Sequence, residues 1–342
     1  FNFCFHNLDV IDSLEALPDW ANETLDEHAS DARESHYSWE TLSRAKTDQP
    51  LWDACQRSLV KHGELHNNVR MTWGKAFLGW APSPASAMRL TMDLNHRYAL
   101  DGRDPCSYGG VLWCLGLFDR PFQPAGKVFG KVRERPCESH QSRLDMKKFE
   151  ASVDRPIAGR MPKIAMVGAG VGGLIASRCL QDHGIDVTLF DKSQGVGGRM
   201  ATRREAGLAF DHGAQYFTAR DTRFTRYVRS WIQQGLVEPW MGQIVKLKSD
   251  GVSEGQFGTP RYVAVPGMNS LAEHLAEDLE VRTNTGISKM DSIDGKWRLI
   301  DTAGKQAGTF DWVILNCPPK QTLKIIDGQS VLAQQIAEVR MD

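Results

Sequence analysis

The sequence predicts a multidomain chain, with an all-α domain first and an α/β domain after it that also carries an antiparallel β portion. Three observations predict this. Helical spacing with little strand signal runs from the N-terminus to about residue 136. A strand, a glycine-rich turn and an amphipathic helix then follow Met161-Pro162. Between the two lies the polar stretch 137–162, read as a linker. The expected division is therefore 1–136, a linker at 137–162, and 163–342.

In the first part, Pro50 predicts a helix start, because proline lacks only an N–H that the first turn leaves unpaired. Leu51, Trp52, Cys55, Leu59 and Val60 follow at helical spacing, and Gly63 closes the helix. A second helix is expected from His66 to Trp80. A third has Ser83 as its cap and Pro84 in its first turn. "ALDGRDPCSYGG" reads as a turn-rich loop and "VLWCLGLF" as a buried apolar segment. In the second part "KIAMV" and "DVTLFD" read as buried strands flanking the helix "VGGLIASRCLQDHG". "IVKLK", "RYVAV" and "KWRLI" read as antiparallel strands, "LAEHLAEDL" as a short helix and "DWVILNCP" as a further buried strand.

Composition bounds the function only loosely. The formal charge of the 342-residue chain is -1, which favours no particular partner. From Arg120 to Arg160 basic residues outnumber acidic ones by roughly two to one, as in a solvated linker or a phosphate-holding edge. Seven cysteines without a CxxC pair read as reduced thiols of a cytoplasmic protein, and no metal-ligating pattern stands out. The longest apolar runs are too short for a membrane span. The N-terminus has neither the charged region nor the apolar core of a signal peptide, and the chain is expected to start inside a domain.

"MVGAGVGG" sets Gly168, Gly170 and Gly173 in a GxGxxG register between strand and helix. The first glycine permits the tight turn, the second the approach of a pyrophosphate, and the third close helix–strand packing. Asp191, 23 residues after Gly168, can accept hydrogen bonds from ribose hydroxyls and would repel a 2′-phosphate. "GVGGRMATRR" adds Gly198 for a second close approach and Arg199 to offset phosphate charge. With "DHGAQYFTARD", "GMNSLAEHLA" and "DWVILNCPPKQT", this region resembles the flavin-dependent amine oxidase superfamily, most closely its renalase-like branch, over about Lys163 to Ile326. The resemblance implies an FAD held by Gly168, Gly170, Gly173, Asp191, Gly198 and Arg199. It also implies that Gln215 and Tyr216 lie beside the flavin and substrate. Members of that superfamily run beyond this chain, so the domain is expected to be incomplete here.

"HNNVRMTWGKAFLGW" places Arg70, Trp73 and Phe77 on one helical face, with Trp80 a turn later. An arginine on such a face needs an anion, and "LDGRDP" supplies Asp101 and Asp104. The pattern suits either core packing or a polar cofactor pocket. Together with "YSWETLSRAKTDQPLWDACQRSLV" and "LNHRYALDGRDPCSYGGVLW", it resembles the flavin-binding helical domain of photolyases and cryptochromes, and class II photolyases most, over about Leu17 to Arg135. That resemblance implies an electron relay to a photoexcited FAD in the order Trp80, Trp52, Trp73. It implies an Arg70–Asp101 ion pair beside the flavin, Asn95 facing the reactive flavin nitrogen, and Asp119 as a further flavin-side group. Arg120, Lys127, Lys131, Arg133 and Arg135 are candidates for holding DNA phosphates. "HNN" stands where class II photolyases usually have "HGY".

The two resemblances together imply a flavoprotein fusion. The first half would carry out light-driven repair of cyclobutane pyrimidine dimers in damaged DNA. The second would be an oxidoreductase acting on a small molecule, with NAD(P)H among the candidates. A light sensor without repair, and two separate genes joined at Met161, remain open at this point.

Overall fold

In the computed structural model all residues are described except 34, 158, 243–244, 249–250, 255–258, 327–330 and 341–342. The chain forms two compact units, Phe1–Ala158 and Gly159–Asp342. Every regular element described in the first unit is helical. They are α1 (Asn2–His6), α2 (Asp19–Glu27), α3 (Trp39–Ser43), α4 (Pro50–His62), α5 (Asn67–Trp80), α6 (Pro84–Tyr98), α7 (Pro105–Cys114), α8 (Cys137–Gln141) and α9 (Met146–Val153), with a short 3-10 turn at Leu14–Ala16.

The ends of the central helices follow their sequence signals. Gly63 ends α4 in the left-handed region at φ +69°. The His66 ring accepts from Asn68 N at the start of α5, and Ser83 Oγ accepts from Ser86 N at the start of α6. Leu51, Trp52, Cys55 and Leu59 of α4 meet Trp73, Phe77 and Leu78 of α5 in one core. A Cβ on Gly74 would lie 2.6 Å from Cys114 Sγ, so this glycine lets α7 pack tightly against α5.

Three readings of the first part are corrected. The stretch 137–162 is not a free linker: half of it folds as α8 and α9, with Cys137 and Val153 buried. His62 bonds to the Val153 carbonyl at 2.8 Å, and Lys61 pairs with Asp154 at 3.1 Å. The turn-rich loop is shorter than expected, because Pro105 starts α7 as an N1 proline does. "VLWCLGLF" is not uniformly buried. Trp113 turns outward, 40% exposed, because a helix cannot bury every side around one core, and Phe118, 56% exposed, lies in the turn after α7.

The second unit is built on a parallel sheet in the order β10-β2-β1-β14. Its strands are β1 (Lys163–Val167), β2 (Asp186–Phe190), β10 (Glu280–Arg282) and β14 (Trp312–Leu315). β1 and β2 are joined through α10 (Val171–Asp182), as in a βαβ unit. Alternate side chains serve two cores. Ile164, Met166, Val187 and Leu189 pack with Leu174, Trp231, Leu271 and Leu275. On the other face Ala165, Val167 and Phe190 pack with Leu299 and Phe310. Those partners come from α10, α11 (Thr222–Gln233), α12 (Met268–Ala276) and the antiparallel meander β11 (Ile287–Ile293), β12 (Lys296–Asp301) and β13 (Gln306–Phe310).

The antiparallel portion is completed by the hairpins β3 (Thr202–Glu205) with β4 (Leu208–Asp211) and β7 (Val245–Lys248) with β8 (Gly251–Glu254). β5 (Phe217–Thr218), β6 (Val237–Pro239) and β9 (Arg261–Ala264) form a third small sheet. α13 (Pro319–Ile325) and α14 (Val331–Ala337) follow β14. Ile244 of the expected strand "IVKLK" lies outside the described residues. Among the described residues no helix is long and apolar enough to cross a membrane.

Candidate functional site

In the first unit the three tryptophans form one contiguous series. Trp73 and Trp52 stack at 6.1 Å with their planes 13° apart, and Trp80 meets Trp52 edge-on at 5.3 Å. Trp52 and Trp73 are buried and Trp80 is half-buried. Each buried indole N–H has an acceptor. Trp52 Nε1 donates to the Trp73 carbonyl, and Trp73 Nε1 donates to Gln56 Oε1, both at 3.0 Å. Beyond Trp80 lies Tyr37, edge-on at 4.9 Å and hydrogen-bonded to Asp48. The sequence reading did not single out Tyr37, which is far from the tryptophans in spacing.

Arg70 grips Asp101 with two parallel hydrogen bonds of 2.8 and 2.9 Å. The guanidinium holds the Asp101 carboxyl below its usual range. Arg70 Nε is buried and has no hydrogen-bond partner. Asn95, 2% exposed, donates from its amide to the Gly102 carbonyl at 3.3 Å, tying α6 to the turn before α7.

A separate cavity of ≈ 720 Å³ opens between α5, α7 and α8. Neither Arg70, Asp101, Asn95 nor any of the three tryptophans lines it. The cavity face of α5 is Asn67, Met71 and Lys75, spaced four apart, whereas Trp73 and Phe77 turn into the core. That i, i+4 spacing was readable in the sequence, but the tryptophans drew the reading to the opposite face. Trp113, Asp119, Arg133, Arg135, His140 and Arg143 close the other sides. Of the proposed phosphate-holding residues, Arg133 and Arg135 line the cavity, while Arg120, Lys127 and Lys131 do not.

The rim is held by a hydrogen-bonded series. Thr72 Oγ1 meets His140 Nδ1 at 2.6 Å, His140 Nε2 meets Asn68 Nδ2 at 3.5 Å, and Asn68 Oδ1 accepts from Arg135. Burial, with Arg135 and Arg143 nearby, pushes the His140 pKa below 6.5. On the floor, Lys75 Nζ donates to the Cys114 carbonyl at 3.4 Å and lies 3.7 Å from Asp119.

In the second unit the glycines meet at the C-terminal end of the parallel sheet. Gly168 turns at φ +108°, and a Cβ there would lie 2.6 Å from the Asn316 carbonyl. A Cβ on Gly173 would strike the Gly168 carbonyl at 2.2 Å, so this residue serves helix–strand packing. Gly170 differs: a Cβ there would approach only Asn316 Nδ2, at 3.8 Å. It precedes α10, and no side chain caps the N–H groups of the first turn. Gly197 bridges to Gly170, and Gly197 N donates to the Ala169 carbonyl, which brings Gly198 alongside.

Asp191 accepts from Ala169 N and Ser193 N, both at 2.8 Å, so its first work is to pin the glycine turn. Arg199 is exposed, and its carbonyl accepts from Ala214 N at 2.7 Å. A Cβ on Gly213 would lie 2.1 Å from that carbonyl, so this unremarked glycine seats the "HGAQYF" loop. Gln215 is exposed. Tyr216 has Arg261 over its ring at 4.8 Å and Trp240 beside it at 5.4 Å.

Residues 166–231 match the family model described as NAD(P)-binding Rossmann-like domain. The chain is 44% identical over 128 residues to the deoxyribodipyrimidine photo-lyase of Methanothermobacter thermautotrophicus, covering 37% of this chain and 28% of that protein. It is 39% identical over 163 residues to the deoxyribodipyrimidine photo-lyase of Oryza sativa subsp. japonica, covering 47% and 32%. Two unrelated similarities share one chain. A third relative, the lysine-specific histone demethylase 1B homolog of Caenorhabditis elegans, is 40% identical over 67 residues, covering 20% of this chain and 8% of that protein. The chain spans a third or less of the length of these curated relatives. It joins a photolyase-like segment to a Rossmann-like nucleotide-binding segment.

Proposed function

We propose that the first unit is the FAD-binding helical part of a deoxyribodipyrimidine photolyase and that the second is the FAD-binding part of an oxidoreductase of the amine-oxidase, renalase-like type. The observation that carries the first reading is the unbroken indole series from half-buried Trp80 through Trp52 to Trp73. Identity of about 40% to two photo-lyases supports it.

The residues of both units fit a flavin. Arg70 keeps one buried N–H free of any partner, suited to an acceptor on a bound ring. Gly170 leaves open the space through which a pyrophosphate approaches, and the uncapped start of α10 presents N–H donors to it. A bound flavin supplies one-electron donation to a lesion in the first unit and hydride acceptance from a substrate in the second.

The chain's own residues provide the rest. Trp73 receives support from Gln56 and Trp52, which fix its ring plane. Asp101 holds Arg70 in position. The cavity beside α7, of ≈ 720 Å³, carries Trp113, 40% exposed, as a surface for base stacking. Arg133, Arg135 and Arg143 supply phosphate contacts, and lesion extrusion is easiest at a poorly stacked dimer. Asn95, held by the Gly102 carbonyl, is the candidate to face the reactive flavin nitrogen, and Asp119, which lines the cavity, is a further flavin-side candidate. In the second unit Asp191 offers its remaining lone pairs to ribose hydroxyls, Arg199 and Gly198 flank the pyrophosphate, and Gln215 and Tyr216 border the substrate, an amine or a reduced nicotinamide.

The test is repair of a dimer-containing oligonucleotide under blue light against a dark control. Light-dependent restoration of monomeric thymines supports the reading. Flavin reduction by light without any dimer loss would instead favour light sensing.

A further inference from the structure

Lys75 is a cavity group whose chemistry the repair reading leaves unused. Its side chain is 5% exposed, and it lies on the floor of the cavity between arginines and a carboxylate. An ammonium has three donors, and this one has two weak partners in the structure: the Cys114 carbonyl at 3.4 Å and Asp119 at 3.7 Å. A buried charge so thinly solvated favours its neutral form. Burial lowers the Lys75 pKa from its ordinary value; Cys114 and Asp119 oppose this, and Arg133 and Arg135 reinforce it. A desolvated lysine beside cationic groups is the usual way to an amine nucleophile at neutral pH.

We propose that Lys75 is a nucleophile toward the aldehyde of an abasic deoxyribose in DNA, giving this cavity a light-independent strand-cleaving lyase activity. The inference rests on the reading of the cavity as a DNA site. The Lys75 amine adds to C1′, forming a C–N bond, and the carbinolamine loses water to give a protonated imine. Asp119 takes the proton from C2′. That electron pair becomes a C2′–C3′ double bond as the C3′–O bond breaks with its pair leaving on the phosphate, which leaves an unsaturated imine at C1′. Water then hydrolyses the imine and returns the free amine, so no oxidant or reductant is consumed. Arg133 and Arg135 at the rim are placed to hold the flanking phosphates.

The test uses the whole protein with an end-labelled duplex bearing a single abasic site, in the dark, with borohydride to trap the imine. The expected result is a covalent adduct whose peptide map puts the added mass on Lys75. Lys75→Arg, which keeps the charge but cannot form an imine, loses the adduct. Asp119→Asn keeps the adduct but loses strand cleavage. No adduct with the wild-type protein, or an adduct mapped to an N-terminal α-amine or another lysine, overturns the proposal; mapping on the wild type decides even where a variant misfolds. Binding of a dimer-containing duplex is measured in parallel. Binding without an adduct defeats the lyase inference alone, whereas no binding of either duplex defeats the reading of the cavity beneath it.

Discussion

At the scale of single residues, Trp73 and His140 carry separable duties. Trp73 is both a ring in a series and a donor to buried Gln56. Trp73→Phe keeps an aromatic ring but leaves Gln56 Oε1 without that donor, a cost of about 1–3 kcal/mol. Photoreduction of bound flavin in this variant is expected to slow by about tenfold or more, ~1.4 kcal/mol of barrier. Transient absorption and a melting curve read the two effects separately. Trp80→Phe should slow photoreduction with a smaller loss of stability, because Trp80 is only half-buried.

His140 gives a prediction about pH. Its pKa in the folded chain is depressed below 6.5 by burial and by Arg135 and Arg143. Between the folded and unfolded values the unfolded chain binds the proton and the folded one does not, so stability falls as pH drops below 6.5. His96 is depressed in the same direction. His140→Asn should therefore flatten, but not abolish, the fall of melting temperature between about pH 7 and pH 5. An unchanged slope would remove His140 from the account.

At the scale of elements, the glycines of the α10 turn are not equivalent. Gly170 has an extended backbone at φ -74° that any residue adopts, and room for a Cβ. Gly170→Ala should fold with a nearly unchanged melting temperature yet bind flavin weakly, because its methyl stands in the approach path of the pyrophosphate. Gly173→Ala would place a methyl 2.2 Å from the Gly168 carbonyl and is expected to lower stability by about 1–3 kcal/mol.

The same contrast shows what the sequence discloses. The termini of α4, α5 and α6, and the β1–α10–β2 unit, were legible because caps, prolines, glycines and apolar periodicity are local signals. The fold of α8 and α9 was not, because a polar exposed face hides the few residues they bury, Cys137, His140 and Val153. Among site residues, the Arg70–Asp101 pair was anticipated through a resemblance and is present as a bidentate contact. Trp113, Lys75 and His140 escaped notice because the cavity they line is assembled from α5, α7 and α8, which the chain brings together only on folding. Val153→Asp would place a charge where the side chain is 1% exposed. It should destabilise the first unit by about 3 kcal/mol or more if α9 is an integral part of it, as a denaturant titration would report.

At the scale of the whole molecule, two dissimilar units point to one kind of cofactor by different means. The first offers indoles and a clamped arginine; the second offers glycines and an open helix end. The measurement that tests this most directly is the number of flavins bound per polypeptide expressed from its gene, taken from absorbance and protein mass after equilibration with FAD. The account predicts two, falling to one in Gly170→Ala while light-dependent repair persists. A ratio of one in the unaltered protein, unaffected by Gly170→Ala, would contradict it.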